Sequence, residues 1–210
     1  MSTSQFAFLE AEFSTEFAMA LKVEEYALTD PAAAVIYARK ALESGVKWVY
    51  QYDRALPPPY EDKLNTYLNE PAFKALANGR VFDVAKKIQR AGNRAVHESK
   101  PPTKLEAVEV TSALFQFCFW LAYTYGRHTK PDPSIRFDPL NLQAKLTAEK
   151  SSLAQRKELE AQGIKVVDLE DDFKGVPNTY RVSDGHWTEL GTEIAAKRLA
   201  AALGKMREAR

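Results

Sequence analysis

Apolar residues in the first 130 positions recur three and four apart, the spacing of one helix face rather than the alternation of a strand. Phe6, Leu9, Phe13, Phe17, Ala20, Leu21 and Val23 form one such series, running on to Tyr26 and Leu28. Asp30-Pro31 then sets a capping side chain before a proline at the first helical position, a strong start signal. Ala34, Val35, Ala38, Leu42, Val46, Val49 and Tyr50 continue from it. Pro57-Pro58-Pro59 ends anything helical and predicts a stiff, extended connection. Shorter helices are predicted around Asp62–Leu68 and Ala72–Ala77, and a longer one from about Val81 to His97. Pro101-Pro102 closes that one, because the residue before a proline disfavours the helical region. A last, very apolar helix from about Lys104 to Tyr125 is expected to be the most buried. Several helices with short connections imply a bundle.

The pattern changes near Lys130. Thr129–Pro139 contains three prolines and reads as an extended linker. Leu140–Gln162 is rich in Leu, Ala, Lys, Glu and Gln, a composition that favours an exposed or coiled-coil helix. Gly163 ends it, and Ile164–Leu169 reads as a strand. An amphipathic helix over about Glu189–Leu203, with Ile194, Ala195, Leu199 and Leu203 on one side, follows a loop. A single strand makes no sheet, so this tail lacks partners in its own sequence. The predicted fold class is therefore mainly α: a helical bundle over 1–130, a proline-containing linker and helix over 131–162, and a small strand-loop-helix tail over 163–210.

Composition narrows the function classes. A hydrophobic content of 45% supports a packed core and argues against wholesale disorder. The net charge of +1 excludes a globally basic nucleic-acid binder and leaves only a local patch. Cys118 is the sole cysteine, so neither an internal disulfide nor a multi-cysteine zinc site can form. It sits in the run Ala113–Leu121, where a buried thiol is expected and where the apolar stretch reads as too short and too interrupted for a membrane span. Met1-Ser2-Thr3-Ser4-Gln5 lacks the basic start and apolar core of a signal peptide, so the expected setting is cytoplasmic, without a membrane. No Gly-x-x-x-x-Gly-Lys-Ser/Thr loop is present, which argues against an ATP-driven motor. Pro131-Asp132 lies in the proline-rich stretch rather than in a nuclease core, and no metal site or cofactor is expected.

The candidate chemistry lies in Arg90-Ala91-Gly92-Asn93-Arg94-Ala95-Val96-His97. At about 100° per residue, Arg90, Asn93 and His97 fall within roughly 60° of one another around a helix axis. Lys86 and Arg94 flank them, while Val84, Ile88, Ala91, Ala95 and Val96 lie towards the other side. A guanidinium beside an imidazole suits phosphate, one group holding the anion and the other moving a proton. The same spacing describes the solvated face of an amphipathic helix, and on spacing alone that plainer reading is favoured. Two smaller features have plain readings too. Trp48, Tyr50, Tyr52 and Tyr60 surround the proline turn, where packing is a simpler role than base stacking. Arg127, His128 and Lys130 form a basic cluster at a helix end, where cations are favoured in any case.

A wider set of stretches carries a resemblance. These are Phe6–Glu10, Asp30–Ala34, Leu42-Glu43 with Val46–Tyr50, Leu56–Leu64, Gly92–His97 and Phe137-Asp138-Pro139. In this order, residues about 5–140 resemble the helical domain at the N-terminus of many type I restriction endonuclease R subunits. That domain is itself similar to the HEPN superfamily of helical bundles, whose ribonucleases carry an arginine, a polar residue and a following histidine. Arg90 and His97 have six residues between them, at the long end of that pattern, with Asn93 as the polar member. The resemblance implies a metal-independent site in which His97 is general acid or base, Arg90 stabilises phosphate charge and Asn93 positions it. It also implies pairing of two motif helices across a homodimer.

The tail carries another likeness. Gly163–Leu169, Tyr180, Asp184-Gly185-His186-Trp187-Thr188 and Gly191 resemble the last block of SGNH-type esterases and acetyltransferases. By that resemblance Asp184 orients His186, which activates a serine. No Gly-Asp-Ser-like nucleophile turn precedes the tail, and Ser183 is misplaced for the role. The plainer reading has His186 and Trp187 packing in a loop, with Thr188 capping the following helix.

Three functional expectations follow. The first is a non-motor accessory module of a restriction or related defence system, binding nucleic acid through Lys86, Arg90 and Arg94, or binding partner subunits. The second is a dimeric, metal-independent ribonuclease using Arg90, Asn93 and His97. The third is an incomplete esterase or acetyltransferase tail.

Overall fold

Asp30 shows how local sequence sets this architecture: its Oδ1 accepts from the Ala33 amide at 3.1 Å, and Pro31 occupies the first helical position. The computed structural model describes residues 4–97, 100–128, 130–161 and 192–200. A short 3-10 turn at Ala7–Leu9 precedes α1 (Ser14–Tyr26), α2 (Pro31–Tyr52), α3 (Leu64–Asn69), α4 (Pro71–His97), α5 (Lys104–Tyr125) and α6 (Pro139–Ala161). A further helix covers residues 192–200. The described residues are mainly helical, as the apolar spacing requires.

The chain divides into two units, one over Ser2–Thr147 and one over Ala148–Arg210. In the first, α1 packs on α2, α2 on both α4 and α5, α4 on α5, and α3 on α4. Its core includes Phe6, Leu42, Phe73, Ile88, Leu114, Phe117 and Leu121, none exposing as much as 2% of its surface. In the second unit, the helix over 192–200 buries Ala195 and carries a Glu193–Lys197 ion pair at 2.6 Å. The strand expected at Ile164–Leu169 lies outside the described residues.

Three expectations need correction. The periodic series from Phe6 to Leu28 is not one helix. The chain turns between Leu9 and Ser14, so that Phe6 and Phe8 reach Phe115 at 5.7 and 5.4 Å while Phe13 reaches Trp48 at 5.1 Å. A straight helix could not serve both neighbours. The apolar stretch of α5 is also long enough, by length and composition alone, to cross a membrane. Its contacts with α1, α2 and α4, with Val110, Leu114, Phe117, Cys118 and Leu121 buried, make it the core helix of the bundle. Among the aromatics around the proline turn, Trp48 and Tyr50 pack as expected, Trp48 on Tyr125 at 5.6 Å and Tyr50 on Tyr67 at 4.8 Å. Tyr60, by contrast, is 84% exposed and fixes nothing.

The proline-containing segment after α5 is non-helical but packed. Phe137 lies 5.9 Å from Phe115, and the Asp138 amide donates to Gln5 Oε1 at 2.7 Å. The Glu12 carboxylate accepts from the backbone amides of Arg127 and His128 at 2.8 and 2.9 Å, so that basic cluster is engaged through its main chain. Lys130 places its ammonium over the Tyr123 ring at 5.4 Å. Cys118 is wholly buried, as expected. Burial, reinforced by the charge of Glu16, pushes its thiol far above the usual range and leaves it unreactive.

Candidate functional site

The motif lies on the second half of α4, which is two helices joined at a kink. Asn78 adopts φ 50° and ψ 175°, and its Oδ1 accepts from the Val81 amide at 3.3 Å, restarting the helix. From there Val81, Ala85, Ile88 and Ala91 face the core, which leaves Arg90, Asn93, Arg94 and His97 exposed and Lys86 half-buried. Val96, expected on the apolar side, is 56% exposed: it lies in the last turn, off the buried stripe.

Gly92 is the point of closest approach to α2. A Cβ there would stand 2.6 Å from Arg39 Cβ and 2.5 Å from Arg39 Cδ. Its presence within the motif therefore has a packing cause.

A groove of about 630 Å³ runs between α4 and α5. It brings together Lys86, Lys87, Arg90 and Arg94 on one wall, with Asp83 among them, and Glu106 and Glu109 on the other. Neither Asn93 nor His97 lines it; both stand on the exposed flank of α4. Two of the four cations are neutralised across the groove, Lys87 by Glu109 at 2.8 Å and Arg94 by Glu106 at 3.3 Å. The other two are not. Lys86 Nζ donates to Gln89 Oε1 at 2.6 Å and to Asn65 Oδ1 at 3.3 Å, both neutral acceptors. Arg90 forms no ion pair with a described residue. Burial lowers the Lys86 pKa, and the positive charges of Arg90 and Lys74 lower it further. An anion placed between Lys86 and Arg90 would relieve that mutual repulsion.

The sequence spacing puts Lys86, Arg90 and Arg94 on one helix, but not the carboxylates that face them. Lys87 and Glu109 are 22 residues apart, and their meeting depends on how α4 and α5 are set against each other. Asp184 and His186 lie outside the described residues.

Fold and groove define a helical bundle with a mixed-charge groove between α4 and α5. The chain belongs to the family described as "Domain of unknown function (DUF4145)", whose model matches residues 22–161. A second model, "SGNH hydrolase-like domain, acetyltransferase AlgX", matches residues 136–209, beginning earlier than the resemblance near residue 160 suggests and including α6. Neither description names HEPN or a restriction subunit. No curated protein and no solved structure matches the chain.

Proposed function

We propose that this chain is a nucleic-acid-binding accessory module, related to the helical domain at the N-terminus of type I restriction endonuclease R subunits. Phosphate contacts come from Lys86 and Arg90, with Arg94 beside them. The observation that carries this reading is the pair of cations, Lys86 and Arg90, left without carboxylate partners in a groove where their neighbours are paired. Phosphate binding is the chemistry such a pair serves, and it positions a backbone without reading sequence. The test is fluorescence anisotropy with a labelled duplex in EDTA between about 50 and 200 mM salt. The full chain should bind, and the K86Q/R90Q double variant should reduce the salt slope by about 2, one per lost phosphate contact. No binding at the low-salt end, or an unchanged slope, overturns it.

A second reading is favoured by one observation: Arg90, Asn93 and His97 are all accessible on the last turns of α4. In a metal-independent ribonuclease, His97 would take the proton of an RNA 2′-hydroxyl, whose oxygen attacks phosphorus. The 5′-oxygen would leave as a hydroxyl, protonated by water or by the second copy's histidine, and a 2′,3′-cyclic phosphate would remain. Among the described residues none lines a wall opposite this exposed face, so the reading takes a second copy of the chain to supply it. End-labelled single-stranded RNA in excess EDTA decides it: cyclic-phosphate ends that vanish in H97A establish the ribonuclease. The match over 136–209 keeps a third reading, an incomplete esterase- or acetyltransferase-like tail with Asp184 and His186 but without the nucleophile serine; acetyl-ester hydrolysis that H186A abolishes would establish it.

A further inference from the structure

A second cavity, of about 360 Å³, lies on another side of the bundle between α4, α5 and the segment after α5. Val84, Phe115, Phe119, Trp120 and Ile135 give it apolar walls, and Arg80 and Arg136 stand among them. Its lining contains no carboxylate. Both guanidinium groups are nevertheless fixed. Arg80 donates from Nε and Nη2 to Gln116 Oε1 at 3.2 and 3.1 Å. Arg136 donates from Nη1 to the carbonyls of Pro133 and Ile135 at 2.6 and 2.8 Å. Every one of these acceptors is neutral, so each arginine is oriented without a carboxylate hydrogen-bonded to it. Donors remain on Arg80 Nη1 and on Arg136 Nη2 and Nε. The nearby Asp132 carboxylate accepts from the Ser134 amide at 2.7 Å, which holds its pKa below the ordinary carboxylate value; the Arg136 charge adds a smaller pull without a direct ion pair. The groove along Lys86 differs, since carboxylates line it.

An aromatic floor with two pre-oriented, unpaired guanidinium groups is complementary to a flat ring bearing an oxyanion. We propose that this cleft is a binding site for a small molecule with a planar apolar body and a terminal carboxylate or phosphate. The ring lies against Phe119 and Trp120, and the oxyanion takes charge-assisted hydrogen bonds from Arg80 and Arg136.

Isothermal titration of the full chain with 2-naphthoate, 2-naphthyl phosphate and neutral 2-naphthamide tests it. At least one of the two anions should saturate a single site and bind about tenfold or more tightly than the amide, and the better anion identifies the head group. The R80Q/R136Q double variant should erase that preference while leaving the amide within about twofold. V84W, which fills the cleft, should abolish all binding. Anions that bind no better than the amide, a preference that survives R80Q/R136Q, or the absence of any saturable binding overturns the proposal. Should V84W fail to fold, the arginine pair still decides, because both side chains are exposed.

Discussion

Gly92 lies inside the motif that draws attention to α4, and its role is decided by a neighbour on another helix. Alanine in place of a helix-interior glycine ordinarily gains about 1 kcal/mol. Here the new methyl would meet the Cβ of Arg39, which cannot move without α2. Arg39 also has a buried Nε without a hydrogen-bond partner, so its side chain is already confined. Overpacking of this kind costs about 1–3 kcal/mol, and G92A should therefore lower stability in urea unfolding. A gain would mean that α2 and α4 can part. At Thr103 the sign is simpler. Its Oγ1 accepts from the Glu106 amide at 3.2 Å while the Glu106 carboxylate accepts from the Thr103 amide at 2.8 Å, a reciprocal cap on α5. T103A should cost about 1 kcal/mol. Those hydrogen bonds hold the Glu106 carboxyl below its ordinary 4.5, with Arg94 adding a smaller pull. The unfolded chain therefore binds the proton more readily, so this stabilisation is complete above that value and is lost as pH falls through the folded pKa. E106Q should flatten the acid limb of a plot of stability against pH. An acid limb as steep as that of the parent chain would assign the slope to other carboxylates.

Helices were legible in the sequence wherever their ends carry a chemical signal. Asp30-Pro31 starts α2, the residues around Pro101-Pro102 follow the end of α4, and Lys104–Tyr125 is read with both ends correct. The expected gap between a helix ending near Ala77 and one starting near Val81 matches the kink, which falls on Asn78. What periodicity could not show was the turn between Leu9 and Ser14, since the apolar spacing runs unbroken through it. Nor could it show the pairings of α4 with α5, or the Arg80–Gln116 contact that shapes the second cavity, because these depend on the register between helices. The kink offers an element-scale test. A φ of 50° with extended ψ is a region that glycine enters freely and β-branched residues scarcely at all. N78V should be less stable than N78G by about 2 kcal/mol in matched denaturant melts. Equal stabilities would mean that the two halves of α4 can join as one continuous helix at no cost.

At the scale of the whole molecule, the bundle is closed by segments far apart in sequence. Gln5 accepts from Asp138 across 133 residues, Glu12 caps the amides of Arg127 and His128, and Phe137 packs on Phe115. Three prolines made this stretch read as a linker; Pro131 and Pro133 lie in its non-helical part and Pro139 opens α6, but Ile135 and Phe137 pack against the core. Leu142, in the first turns of α6, is buried as well. A chain ending after residue 128 therefore loses the packing of Ile135, Phe137 and Leu142 together with the Gln5 contact. One buried leucine alone is worth about 1.5–3 kcal/mol, so this fragment should fall at least about 2 kcal/mol below the full chain. A chain ending after residue 161 keeps all of these contacts and should melt cooperatively within about 3 °C of the full protein, a shift no larger than about 1 kcal/mol makes at this size. Differential scanning calorimetry of the three chains separates the alternatives. If the fragment ending at 128 melts with the full chain, the proline segment is a tether and its contacts contribute nothing. If the fragment ending at 161 is itself destabilised, the family-matched bundle depends on the residues beyond it.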